Sequence, residues 1–312
     1  MLITVAIPCY NSEKMISDVV SNIKNEFKRE IEKYDYQIIL INDGSADNTF
    51  QIIKKLCEKD NKIVGIDLSK NHGQAVARMA AIPYVKGDIL IYMDDDGQHP
   101  AKDIFKLVKK IEDGYDLVYA KLLNKKHSHF KNITSKLNRK IQQMMGTCPK
   151  GVFLSSFFAM NNICIDALKK YNSPYPSMSS FLYQITNKIG NVDVEHYPRL
   201  EGKTGYSLRK LFSLWITVIT NFNIIPLRIA SFMGFCISGM GIISGIILII
   251  RKLLIPNVAI GYTSLMATIL FVGGIILITA GLLGEYIGRI YIIINQKPQY
   301  TIRCEINNKR GN

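Results

Sequence analysis

Two stretches near the C-terminal end limit what this chain can fold into more than any other feature. Residues 229–250 and 264–284 contain no charged side chain. About 20 consecutive apolar residues are enough for a helix to cross the hydrocarbon core of a bilayer. Both runs are apolar all round, whereas a helix packed on a soluble core keeps a polar face. The sequence therefore predicts a soluble domain over 1–206, a juxtamembrane helix over 207–225, transmembrane helices over 229–250 and 264–284, and a cytosolic tail over 285–312. In the juxtamembrane segment Leu208, Leu211, Phe212, Trp215, Ile219 and Phe222 fall on one helical face, which suits a helix lying in the membrane interface.

Charge sets the expected topology. Arg199, Lys203, Arg209, Lys210 and Arg228 precede the hairpin, and Arg289, Lys297, Arg303, Lys309 and Arg310 follow it. They outnumber Arg251 and Lys252 in the connecting loop, so both ends and the large domain are expected on the cytosolic side of a multi-pass inner-membrane protein. The opening "MLITVAIP" has no basic region and turns polar early, so no signal peptide is expected.

The chain carries 39 Lys+Arg against 25 Asp+Glu, a formal charge of +14. That excess suits an anionic partner: nucleic acid, a lipid surface or a phosphorylated substrate. No acidic residue occurs from Leu117 to Ile165, where Lys121, Lys125, Lys126, Lys131, Lys136, Arg139, Lys140 and Lys150 accumulate. Beside a membrane anchor this run reads as a surface for anionic lipid or a lipid-linked phosphate. A nucleic-acid platform would interleave aromatic and basic residues, which this run does not, so no nucleic-acid partner is expected. The six cysteines show no CxxC spacing, and neither a disulfide framework nor a thiolate metal site is expected. His127 and His129 likewise lack partners at metal-binding spacing.

From residue 1 to 120 short apolar runs alternate with helical patterns. Strands are predicted at 2–8, 37–41, 63–67, 89–93 and 117–120, the rhythm of βαβ units in a mostly parallel α/β sheet. Ligands of such sheets bind at the carboxyl ends of strands. The clusters "PCYNSE", "NDGSADNT", "SKNHGQ" and "DDDGQHP" follow the first four strands and so converge on one edge. In the last cluster, an extended chain would project Asp94 and Asp96 to one side and Asp95 to the other. Two adjacent carboxylates repel unless a cation lies between them, and oxygen ligands suit Mg²⁺ or Mn²⁺. Gln98 offers a further oxygen.

Taken in order, "IPCYNSE", "INDGSADNT", "NHGQ" and "MDDDGQHP" resemble the successive motifs of inverting family 2 glycosyltransferases with the GT-A fold. The later "HYPRLEGKTGYSLRKL" and "GLLGEYIGRIY" resemble the polyprenyl-phosphate branch of that family. The resemblance implies a nucleotide-diphospho-sugar transferase that moves a sugar from a UDP- or GDP-sugar to a polyprenyl (undecaprenyl) phosphate. It assigns the base and ribose pocket to Pro8, Tyr10 and Asp43, with Asp95 and Lys121 also on the donor side. It assigns the divalent ion to Asp94, Asp96 and Gln98, and catalysis to Asp96, Arg199 and Lys203.

Two positions depart from the family pattern. Ser12 stands where an acidic residue is usual, with Glu13 after it. Ser155-Ser156-Phe157-Phe158 stands where a "GDFR" type of segment supplies a carboxylate base, so a catalytically impaired, membrane-attached nucleotide-sugar binder is a competing expectation, as is a transferase acting on another lipid or glycan acceptor. A processive synthase is not expected, because no QxxRW motif surrounds Trp215. Gly241 and Gly245, and Gly284 and Gly288, have the spacing that lets helices approach closely, so a homo-oligomer is compatible with the sequence.

Overall fold

The computed structural model describes residues 1–122, 151–173, 176–194, 261–295 and 298–307, with scattered positions between 232 and 254. An eight-stranded sheet organises the larger of two compact units, in the order β7-β5-β6-β4-β1-β2-β3-β8. The strands are β1 (Leu2–Cys9), β2 (Asp35–Asn42), β3 (Ile63–Leu68), β4 (Ile89–Tyr92), β5 (Leu117–Leu122), β6 (Phe158–Asn161), β7 (Ile189–Val194) and β8 (Ile302–Ile306). β1 pairs in parallel with β2 and β4, and β2 with β3. β6 lies antiparallel between β4 and β5.

Alternation along each strand loads both faces of the sheet. Val5 and Ile7 pack on one face with α1 (Ile16–Arg29), α2 (Thr49–Lys59) and α4 (Ile104–Glu112). Ala6, Leu90 and Tyr92 pack on the other with α3 (Gln74–Ala81), α5 (Asn162–Lys169) and α6 (Met178–Ile185). The helices meet the sheet through apolar residues at helical spacing: Ile16, Val19, Val20, Ile23 and Phe27 of α1 are all buried, as are Ile104, Leu107, Val108 and Ile111 of α4. A sheet covered on both faces needs apolar residues at nearly every position of its central strands, which is why β1 is buried from Ile3 to Cys9.

The five predicted strands are present, each longer or shorter by one to three residues. β6, β7 and β8 went unpredicted. The alternation assumed through the three aspartates is corrected: β4 ends at Tyr92, and a bend at Asp95–Gly97 with Gly97 at φ 71° follows it. The period-two rule therefore does not set the directions of Asp94 and Asp96.

The larger unit comprises 1–206 and 298–312, and the second comprises 207–297. Part of the expected tail thus belongs to the sheet: Cys304 pairs with Asp67 and Ile306 with Gly65, antiparallel on the β3 edge. In the second unit α7 runs from Tyr262 to Ile294, beyond the span expected over 264–284. Among the described residues one stretch is long and apolar enough to cross a membrane, Phe271–Ile294, and a shorter apolar helical segment occupies Gly234–Ile247. The juxtamembrane helix, the basic run after Leu122, Arg199 and Lys203 lie outside the described residues.

Candidate functional site

The carboxyl ends of β1, β2 and β3 are in register, with Cys9 opposite Asn42 and Asn42 opposite Asp67. The loops that follow them are stitched together by their own side chains. Asp43 is buried, and its carboxylate accepts the amides of His72 (2.7 Å) and Gly73 (2.9 Å). Its own amide donates to the Cys9 carbonyl at 2.9 Å. Asp43 thereby joins the first three loops. Pro8 is buried in β1, whereas Tyr10 is 51% exposed at the strand's end. The Asn11 amide donates to Ser45 Oγ at 3.0 Å, and the Glu13 carboxylate accepts the Asn48 amide at 3.0 Å.

Ser12, the first departure from the family pattern, has a local role. Its hydroxyl donates to Asp95, and the Tyr10 amide donates to the same carboxylate oxygen at 3.1 Å. Asp95 thus fastens the β1 loop to the β4 loop. Burial pushes its carboxyl above the usual range; the Ser12 and Tyr10 hydrogen bonds oppose that rise and the Asp94 charge adds to it. Beneath it, burial and the Asp95 charge push the Cys9 thiol well up.

Asp94 is held by three side chains. Gln74 Nε2 donates to Oδ1 at 2.6 Å, Arg78 Nη2 lies 3.5 Å from the same oxygen, and the Ser156 hydroxyl donates to Oδ2. The Arg78 guanidinium sits over the rings of Tyr92 (6.0 Å) and Phe158 (5.6 Å), and its Nε is buried without a hydrogen-bond partner. His99 Nδ1 accepts the Asp94 amide at 3.2 Å, and its ring stacks on Phe157 with centroids 5.0 Å apart. Asp96, 9% exposed, accepts the Gln98 amide at 3.1 Å and closes the turn around Gly97. Lys121 is paired with Asp193 at 3.3 Å, across the β5–β7 ladder, and lies over the Phe153 ring.

Of the sequence-predicted site residues, the structure gathers Pro8, Tyr10, Asp43, Asp94, Asp95, Asp96 and Gln98 at the ends of neighbouring strands. Lys121 lies on β5, which β6 separates from β4. Gln74, Arg78 and His99 are additional members, and Ser156, named from the sequence only as a departure from the family pattern, joins them through Asp94. Gln74 and Arg78 are spaced i,i+4 on α3 and so share a face, a signal visible in "GQAVAR" once that segment is read as a helix. The Ser156 contact depends on β6, which no sequence signal placed beside β4.

The donor set fits a divalent cation only in part. Among the described residues no group of three or more His, Cys, Asp or Glu side chains is placed to hold an ion alone. Asp94 and Asp95 already serve protein donors, so an ion here would take few protein ligands. Mg²⁺ and Mn²⁺ sites that are completed by substrate phosphate oxygens and water have this character.

Residues 4–166 match the glycosyl transferase family 2 domain, and residues 225–290 match the GtrB C-terminal hairpin. The chain belongs to glycosyl transferase family 2 and is a glycosyltransferase. Among its relatives, the SfII prophage-derived bactoprenol glucosyl transferase of Shigella flexneri is 32% identical over 317 residues, covering 100% of both chains. The prophage bactoprenol glucosyl transferase homolog of Escherichia coli K12 is 32% identical, covering 97% of this chain and 99% of that one. Glucosyl-3-phosphoglycerate synthase of Mycobacterium tuberculosis shares the fold, with a TM-score of 0.50 at 16% identity over 71% of this chain and 80% of that one.

Proposed function

We propose that this glycosyltransferase moves a sugar, with inversion, from a UDP- or GDP-sugar to a polyprenyl phosphate at the cytosolic face of a membrane. The observation that carries the reading is the junction at Asp43. A buried carboxylate orders the β1, β2 and β3 loops into one pocket edge, with exposed Tyr10 beside it and the aspartate cluster of the β4 loop tied to the same edge through Asp95. Such an edge suits a nucleoside, with an aromatic face for the base and a carboxylate for ribose, next to acids that can hold an ion on the diphosphate. Full-length likeness to bactoprenol glucosyl transferases supports the lipid-linked acceptor. The match to a C-terminal hairpin supports two membrane helices over 229–250 and the α7 region, hence a multi-pass protein.

Pro8, Tyr10 and Asp43 bind the nucleoside. Asp96 with Gln98, and Asp94 after exchange of one of its protein partners, would hold Mg²⁺ or Mn²⁺, which neutralises charge on the leaving diphosphate. Arg78, Lys121, Arg199 and Lys203 add positive charge around the same phosphates and the acceptor. Arg78 packs on aromatic rings and keeps Asp94 oriented. A phosphate monoester has a second pKa of about 6 and is mostly dianionic near neutrality. It attacks the anomeric carbon without giving up a proton, so the protein's task is alignment of phosphate and sugar rather than general-base catalysis.

The test is a panel of labelled nucleotide sugars, UDP-glucose included, with undecaprenyl phosphate and purified protein in membranes. Radioactivity entering the lipid phase from one donor supports the reading. Donor binding without hydrolysis or transfer from any donor would favour the impaired binder that Ser156 brings to mind.

A further inference from the structure

The C-terminal strand reaches the donor edge of the sheet, and one of its side chains is turned toward that edge by a break in the ladder. Cys304 pairs with Asp67 and Ile302 with Leu68, so the register shifts and Arg303 is the extra residue of a β-bulge. Bulges re-aim side chains. Here the guanidinium lies 3.7 Å from the Asp67 carboxylate and donates to the Ser69 carbonyl at 2.8 Å. The Ser69 amide donates to the Thr301 carbonyl at 2.9 Å.

Both contacts lead to Asp43. Asp67 is buried and accepts Asn42 Nδ2 at 2.7 Å, and Asn42 is the residue before Asp43. Ser69 opens the loop whose His72 and Gly73 amides bind the Asp43 carboxylate. The same loop is pressed against the β2 loop, for a Cβ on Gly44 would lie 2.4 Å from the Asn71 nitrogen. Asn307, one residue past β8, anchors the strand by donating to the carbonyls of Cys57 (2.6 Å) and Ile63 (3.0 Å). The strand is therefore fixed at its far end and bulged where it meets the site.

We propose that Arg303 is a positioning residue for the donor pocket: from the C-terminal strand it orders the Ser69–Gly73 loop and thereby the Asp43 carboxylate. The proposal rests on the reading of Asp43 as a nucleoside-binding group. Because β8 follows α7 after the short connector 295–301, the segment that orders the pocket is also the one that leaves the apolar helix. The Arg303 side chain is 66% exposed, so its ion pair contributes little to global stability. Its effect is local.

The experiment uses the full chain in detergent micelles, with UDP and GDP as probes of the pocket. Arg303→Ala should speed amide hydrogen exchange in 69–73 and weaken nucleotide binding, each by about fivefold, with exchange in β1 unchanged. Arg303→Lys, which keeps the charge but loses the fork, should recover part of both effects. Unchanged exchange in 69–73, or faster exchange with wild-type nucleotide affinity, would overturn the proposal. Asp43→Ala is measured alongside: wild-type affinity in that variant overturns the donor-pocket reading, and with it the functional half of the proposal. The exchange arm, which contains no nucleotide, separately decides whether Arg303 orders the loop.

Discussion

Ser156 donates its hydroxyl to the Oδ2 atom of Asp94, from the segment just before β6 to the loop just after β4. The family resemblance places an acceptor base at this serine. The structure instead gives the position a donor that helps Gln74 and Arg78 hold the first acid of the cluster.

Ser156→Ala should therefore lower kcat by less than about tenfold, or roughly 1.4 kcal/mol of barrier, because it removes one of three restraints on Asp94 and no proton acceptor. The pH profile should fall below the acceptor phosphate's second pKa of about 6 and show no other limb from a protein carboxylate acting as base. Initial rates across pH with a lipid-phosphate acceptor check this. An inactive Ser156→Ala that still folds and binds donor would contradict base-free attack.

Asp96 is expected to be the chief protein ligand of the divalent ion. Asp96→Ala should reduce turnover by about a hundredfold or more and should not recover when Mg²⁺ or Mn²⁺ is raised. Wild-type protein should lose activity in EDTA and regain it with added metal. Full activity after chelation would remove the ion from the mechanism.

Gly44 has φ 64°, and a Cβ there would meet Lys70 and Asn71 backbone atoms at 2.4 Å. Gly44→Ala forces apart the β2 and β3 loops, two of the three that Asp43 joins, at a cost of about 1–3 kcal/mol. Nucleotide affinity should drop by about tenfold or more, while the melting temperature falls by about 2–4 °C per kcal/mol, or roughly 2–12 °C. Calorimetric titration and a melting curve on one preparation distinguish the two effects. A variant that binds nucleotide as wild type does would show that the loop contact is not required.

For the hairpin, the expected outcome is that 251–263 lies outside and both ends lie in the cytosol. Asn257→Cys, in a chain whose native cysteines are replaced, should label with an impermeant thiol reagent in intact cells. A cysteine returned at 304 should label only after the membrane is opened. Labelling of residue 304 in intact cells would refute the topology.

The strands of the parallel half were legible because residues covered on both faces must be apolar in an unbroken run, and β1 to β5 carry such runs. The convergence of the loops that bear the candidate site was legible for a related reason: parallel strands end on one edge, so polar clusters after successive strands meet there. Of the two uncharged runs, the second was legible from length and charge as part of an apolar helix, Phe271–Ile294 among the described residues. Tertiary structure decided the rest. β6 and β8 join the sheet antiparallel through partners remote in sequence, Asp67 with Cys304 for example, and pairing register leaves no local periodic mark. The direction of Asp94 was decided by where β4 stops and by Gln74, Arg78 and Ser156 reaching it from α3 and the segment just before β6. A run of three aspartates specifies charge, but which oxygen faces which donor depends on backbone bends and on distant side chains.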